Sequence, residues 1–234
     1  MGYEYLLGLS IPFIVWLVFF FLRKDLRRAM LWTGIFYIIF HVLLFLVWFI
    51  LPPFVFVGEP TYSTYWHPQT LFNLGELTGN ISIEDLLFMF IIGGIGAATY
   101  ELFLRKKISL RKSYRPHFLA LSVCFVLYFL LARVLPMNVL YAYIFATFCG
   151  ALVLWIQRKD LLMHSLSGGG IFVLFYFLAF LTFNFLFPDF IAKFYYLSHL
   201  SGILILGVPL EELLYALSFG LLWAPLYEYA HGTR

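Results

Sequence analysis

Residues 81–101 read ISIEDLLFMFIIGGIGAATYE, and residues 208–228 read VPLEELLYALSFGLLWAPLYE. Laid over one another they hold register without a gap. Glu84 meets Glu211, Asp85 meets Glu212, Leu86 and Leu87 meet Leu213 and Leu214, Gly93 meets Gly220, Ala97 meets Ala224, and Tyr100-Glu101 meets Tyr227-Glu228. Matched leucines carry little weight in so apolar a chain, but matched acids are hard to produce by chance. Each stretch opens on two acids and then stays apolar over about the length a helix needs to cross roughly 30 Å of hydrocarbon. The two stretches therefore predict long helices at corresponding places of an internal repeat.

The rest of the chain has the same character. Of its 234 residues 63% are hydrophobic and only 12% charged, too little polar surface to clothe a water-soluble domain. Further apolar runs predict spans at about Tyr3–Leu22, Met30–Leu51, Ile83–Leu104, Phe118–Leu135, Val139–Ile156, Ser165–Phe187 and Leu210–Ala230. Charge placement supports seven. Arg23, Lys24, Arg27 and Arg28 follow the first span; Arg105, Lys106, Lys107, Arg111, Lys112 and Arg115 the third; Arg158 and Lys159 the fifth; and Arg234 the last. Only Arg133 and Lys193 fall toward the other side, so the positive-inside rule puts the N-terminus outside and the C-terminus in the cytosol. The expected location is the plasma membrane. The N-terminus lacks the positive leader of a cleaved signal peptide, and its apolar run is long enough to remain as a span.

A weaker echo joins LRKDL (22–26) to QRKDL (157–161), each after the first span of its unit. The expected architecture is all-α: one membrane domain over 1–234, with a three-helix repeat in 1–104, a linking helix in 105–137 and a second three-helix repeat in 138–234. Three helices alone would leave the second copy inverted. The linking helix restores its orientation, making the repeats parallel with a pseudo-two-fold axis along the membrane normal. The aromatic segments Pro52–Ser82 and Pro188–Pro209, with Tyr62, Tyr65, Trp66, Tyr195 and Tyr196, are expected at the interface. Gly168, Gly169 and Gly170 are expected to permit a bend or a close crossing in the sixth span.

The acids are the candidate chemistry. A carboxylate near hydrocarbon is costly, which favours a neutral acid able to give up a proton; a like-charged neighbour pushes the same way, and a helix N-terminus opposes it. Two neighbouring acids in different environments can divide the roles of acid and base. The plainer reading is capping: Ser82-Ile83-Glu84-Asp85 fits a capping box, and Pro209 sits where helices begin. Recurrence in both repeats favours function. Adjacent residues point about 100° apart, so one of each pair faces the bundle. Identity between the copies favours Glu84 and Glu211.

PLEE (209–212), its counterpart SIED (82–85) and the three-plus-one-plus-three layout resemble the integral-membrane lycopene cyclases, whose signature is P-x-E-[E/D]. Ser82 stands where that signature has proline. The resemblance covers essentially the whole chain and implies a redox-neutral cyclisation of the linear end groups of lycopene or a related acyclic carotene, an isomerase-type or intramolecular lyase-type reaction. An acid protonates the terminal double bond, a neighbouring double bond attacks the cation, and a base removes a proton. Glu84, Asp85, Glu211 and Glu212 are the implied catalytic residues. Phe88, Tyr100, Tyr215, Trp223 and Tyr227, on the same two helices, are candidates to contact the substrate and stabilise its cations, against a plain reading as packing or interfacial anchors. The implied partners are the carotene and the bilayer, with a homo-oligomer or association with other carotenoid enzymes also open.

No cofactor is expected, because there is no phosphate loop or dinucleotide fingerprint. No metal is expected, because the histidines show no ligand spacing. Nucleic acid is excluded as a partner: the charge of +3 comes from short clusters between apolar runs. Cys124 and Cys149 lie in apolar runs and are read as packing residues. His41, mid-span, is read as a neutral packed histidine, Asn184 as an interhelical hydrogen-bond former, and Glu101 and Glu228 as ordinary ion-pair partners of nearby basic residues. Competing readings are a carotenoid or lipid binder without activity, a CAAX-type membrane protease and a transporter. The protease pattern E-E-x-x-x-R fails at Ala216, and a transporter's broken helices and mid-membrane polar residues are sparse.

Overall fold

Apolar side chains alone do not make a membrane protein's fold. With no water in the hydrocarbon to satisfy the main chain, each segment must bond to itself, and helices follow. The structure, a computed structural model, describes residues 4–50, 64–79, 81–104, 118–135 and 137–231, without the side chains of 48–50. It is nearly all-α. The main helices are α1 (Glu4–Leu22), α2 (Arg27–Ile50), α3 (Ile83–Phe103), α4 (Leu119–Phe129), α5 (Val139–Gln157), α6 (Leu162–Leu186), α7 (Leu210–Trp223) and α8 (Leu226–His231). The basic cluster at 105–115, the stretch 51–63 and Arg234 lie outside the described residues.

Among the described residues five helices, α1, α2, α3, α5 and α6, are long and apolar enough to cross a membrane. The expected fourth and seventh spans are shorter. α4 ends in a wider turn over Leu130–Val134, where Leu135 N–H reaches back five residues to Leu130 O at 3.0 Å. α7 has 14 residues, roughly 21 Å, and the chain breaks before α8 at Pro225, which has no N–H to give Leu221 O. That carbonyl is not wasted: the Ser165 hydroxyl of α6 donates to it.

Helix starts are set by local chemistry. Ser82 caps α3 through a complete capping box with Asp85, and the Asn138 side chain accepts from Leu140 N–H at 2.9 Å to begin α5. The two RKDL turns also share one geometry. Arg23 donates to both carboxylate oxygens of Asp25 at 2.9 and 2.8 Å, Arg158 does the same to Asp160 at 2.9 and 2.8 Å, and in each turn the leucine N–H returns to the arginine carbonyl.

α1 and α2 pack along α3, α5 and α6 pack along α7, α4 lies on α5, and α3 meets α6. Small residues let the backbones close in. A Cβ on Gly220 would lie 2.9 Å from Gly169 Cα, so only glycine admits this crossing of α7 and α6. Of the two readings of Gly168, Gly169 and Gly170, close crossing holds at Gly168 and Gly169 but not at Gly170, and α6 runs unbroken through all three. Asn184 donates to Gly207 O at 3.0 Å in the segment before α7, rather than to another helix.

The segments joining α2 to α3 and α6 to α7 meet each other. Trp66 and Tyr195 form an antiparallel bridge, with His67 N–H on Phe194 O and Tyr196 N–H on Tyr65 O, both at 3.0 Å. Just before α7 a short hairpin pairs Leu204 with Pro209 and Ile205 with Val208. These segments roof the end of the bundle where both acid pairs sit.

Candidate active site

Both acid pairs begin their helices buried, and within each pair the two members face different surroundings. Glu84 accepts a hydrogen bond from Leu71 N–H at 2.7 Å, and Glu211 accepts one from Ser201 N–H at 2.7 Å and another from the Tyr141 hydroxyl at 2.6 Å. Each first acid thus ties the preceding segment's main chain to its helix. The second acids face inward. Asp85 accepts from the Tyr5 hydroxyl at 2.8 Å and from Ser82 N–H and Oγ at 2.9 and 2.8 Å; Glu212 accepts from Tyr176 at 2.8 Å and Tyr195 at 3.0 Å.

Asp85 and Glu212 line one cavity of about 220 Å³, and Glu84 and Glu211 do not. This reverses the facing expected from identity between the copies. The reason is the main-chain N–H groups of the connecting segments: once desolvated they need acceptors, and the first acid of each pair is the one turned toward them. In the first acid pair the capping and inward roles are combined in Asp85.

The cavity wall draws on every helix from α1 to α7. Tyr37, Tyr143 and Tyr215 join hydroxyls across α2, α5 and α7, with Tyr37 2.7 Å from Tyr143 and 2.8 Å from Tyr215. Tyr5, Tyr65, Tyr128, Tyr176 and Tyr195 complete a wall of phenols, and His41 lies among them with its ring 4.5 Å from that of Tyr37. Burial first, and then the Glu212 carboxylate, push the Tyr195 and Tyr65 phenols well above their ordinary value, so both remain protonated. Tyr195 therefore keeps a proton with which to donate to Glu212.

Against this geometry the comparison with known families is decisive. The model of the lycopene cyclases matches residues 4–103 and 138–230, most of the chain. The chain belongs to the lycopene cyclase family. No curated protein and no solved structure matches it. Membership joins this lycopene cyclase relative to carotenoid biosynthesis and accords with its membrane-length helices.

Of the five aromatics expected to meet a lycopene cyclase substrate, Phe88 and Tyr215 line the cavity. Tyr100, Trp223 and Tyr227 do not. Tyr100 lies 15 residues beyond Asp85, and Tyr227 15 beyond Glu212, roughly 22 Å along the helices; Trp223, 11 beyond, is roughly 16 Å away. Tyr100 stacks on His164, Trp223 is buried 4.5 Å from the Tyr37 ring, and Tyr227 stacks on His231. The phenols that do line the cavity come mostly from α1, α2, α5, α6 and the connecting segments. The signal for them was tyrosine inside apolar runs, where a buried hydroxyl needs a partner.

Proposed function

We propose that this protein is a lycopene cyclase that closes the linear end groups of lycopene or a related acyclic carotene into rings, with Glu212 as proton donor and Asp85 as base. The observation that carries the proposal is the convergence of these two acids, from matching positions in the sequence, on one phenol-walled cavity. Asp85 takes hydrogen bonds from Tyr5 and Ser82, one of them from a main-chain N–H at a helix start, which suits a carboxylate waiting for a proton. Among the described residues Glu212 takes only phenol hydroxyls, which turn to accept as readily as they donate and so accommodate a protonated carboxyl. Glu84 and Glu211 act as positioning residues that hold the helix starts under the roof.

The Glu212 proton adds to the terminal double bond, leaving a tertiary cation. The π pair of the neighbouring double bond forms the new carbon–carbon bond and moves the positive charge into the ring. Asp85 removes a ring proton, the double bond re-forms, and the product is an isomer of the substrate; a proton returns from Asp85 to Glu212 before the next turn. Nothing is oxidised or reduced, so the reaction requires no redox cofactor. Phenol faces such as Tyr215, together with Phe88, stabilise the cation, and the roof keeps water from quenching it.

In the same proposal the chain is one membrane domain crossing seven times, with three-helix units in 1–104 and 138–234 and a linking helix in 105–137. The N-terminus is outside and the C-terminus cytosolic in the plasma membrane. The two matched family segments, the twin RKDL turns and the parallel roles of α3 and α7 support this arrangement. Producing the protein in lycopene-accumulating cells and separating the pigments tests the activity. Monocyclic or bicyclic carotene is expected; unchanged lycopene, with or without pigment bound to the purified protein, overturns it.

A further inference from the structure

A second buried titratable cluster lies at the other end of α3, roughly 24 Å along the helix from Asp85. Glu101 closes α3, Glu228 belongs to α8 and His164 to α6, and all three are buried. One ligand atom of each lies within 4.8 Å of the others. His164 Nε2 is 3.4 Å from Glu101 Oε1. The second oxygen of Glu101, Oε2, is buried with no N–H or hydroxyl donor on it among the described residues, and the Glu101 side chain faces that of Glu228 at hydrogen-bond distance. The cluster is built rather than accidental: the His164 ring is stacked 3.8 Å from that of Tyr100, and one turn further on Gly168 lets α6 close against Ala224, where a Cβ would overlap the alanine methyl.

Charge decides what fits. The Glu101 and Glu228 side chains are held in hydrogen-bond contact with one another out of water, and buried acids of this kind are retained when they are paired or coordinate a cation. The adjacent guanidiniums are already engaged: Arg158 with Asp160, and Arg23 with Asp25 and with the main-chain carbonyl of Glu101. We infer that Glu101, His164 and Glu228 form a binding site for one divalent transition-metal cation of the Zn2+, Mn2+ or Fe2+ class. Two oxygen donors and one imidazole nitrogen suit these ions and not a soft monovalent one. A cation about 2.1 Å from each donor keeps the donors within about 4.2 Å of one another, which small side-chain rotations reach from the observed spread. The ion would fasten the ends of α3, α6 and α8 together at the face opposite the cavity.

Cobalt(II) is a suitable probe because its ligation is visible. The full, untagged chain in detergent is stripped with chelator, titrated with Co2+ and followed by visible absorption and elemental analysis. One equivalent per chain is expected, displaced by Zn2+, with affinity lowered at least tenfold in Glu101→Gln, Glu228→Gln and His164→Ala. Asp85→Asn, far away, is expected to bind as the wild type does. Wild-type protein that retains no near-stoichiometric cobalt overturns the inference whatever the variants do. So does cobalt bound equally well by folded Glu101→Gln and Glu228→Gln, or lost in folded Asp85→Asn.

Discussion

The hydroxyl of Tyr176 donates a 2.8 Å hydrogen bond to Oε2 of Glu212, so a phenol halfway along α6 fixes the acid that opens α7. A hydrogen bond between neutral groups contributes about 0.5–1.5 kcal/mol. Tyr176→Phe is therefore expected to slow cyclisation by about 2- to 10-fold while the protein still inserts and folds. Pigment yield per unit of membrane protein measures this; an unchanged yield would mean that Glu212 does not need this orientation.

Loss of a proton-transfer group costs more. Asp85→Asn and Glu212→Gln are each expected to lower cyclisation by about 10²- to 10⁴-fold. Glu84→Gln and Glu211→Gln keep an oxygen that can accept from Leu71 or Ser201 N–H, so losses below about tenfold are expected there. The four variants compared in one pigment assay test the division of roles, and the reverse order of severity would return the chemistry to the first acid of each pair.

Close crossing of α6 and α7 depends on glycine. With Gly169 Cα 2.9 Å from the place a Cβ would take, Gly220→Ala must push the helices apart, a cost of about 1–3 kcal/mol. A lower melting temperature in detergent is the expected outcome. Gly170→Ala is the control, since nothing lies within 4 Å of its position.

His67 predicts an acid sensitivity. Burial holds its imidazole below the ordinary value of 6.5, opposed by a bond to the Lys193 main chain. Protonation is then harder in the folded chain than in the unfolded one, which binds more protons as pH falls. Stability is therefore lost on acidification from about 6.5 downward, until the folded value is passed. The unfolding midpoint measured from pH 8 to 5 should fall less in His67→Gln than in the wild type, and equal slopes would assign the acid sensitivity to other groups.

Acids and capping residues were legible in the sequence because each acts through its own neighbours. The glycines at 168–170 left a bend or a close crossing open until the packing at Gly169 decided it, but the capping box at Ser82 and the acids that open α3 and α7 could be read there. The rotation of those acids could not, because it is set by Leu71 and Ser201, whose main-chain N–H groups arrive from connecting segments. Tyr37, Tyr143 and Tyr215 read as ordinary aromatics until three helices bring their hydroxyls together. Glu101 and Glu228 were expected to pair with nearby basic side chains, and the charges of Arg23 and Arg158 do act on them, but Glu101 also meets His164, which no local spacing reveals. Pro225 was visible, but a continuous apolar count passes over the break it causes between α7 and α8.

The bridge between Trp66 and Tyr195 is held by two bonds from main chain to main chain. No exchange of one side chain for another deletes either of them, so the lid above the acids tolerates point mutation in a way that the phenols beneath it do not. Only a residue lacking an N–H, proline at position 67 or 196, would take a bond away and let solvent in from above.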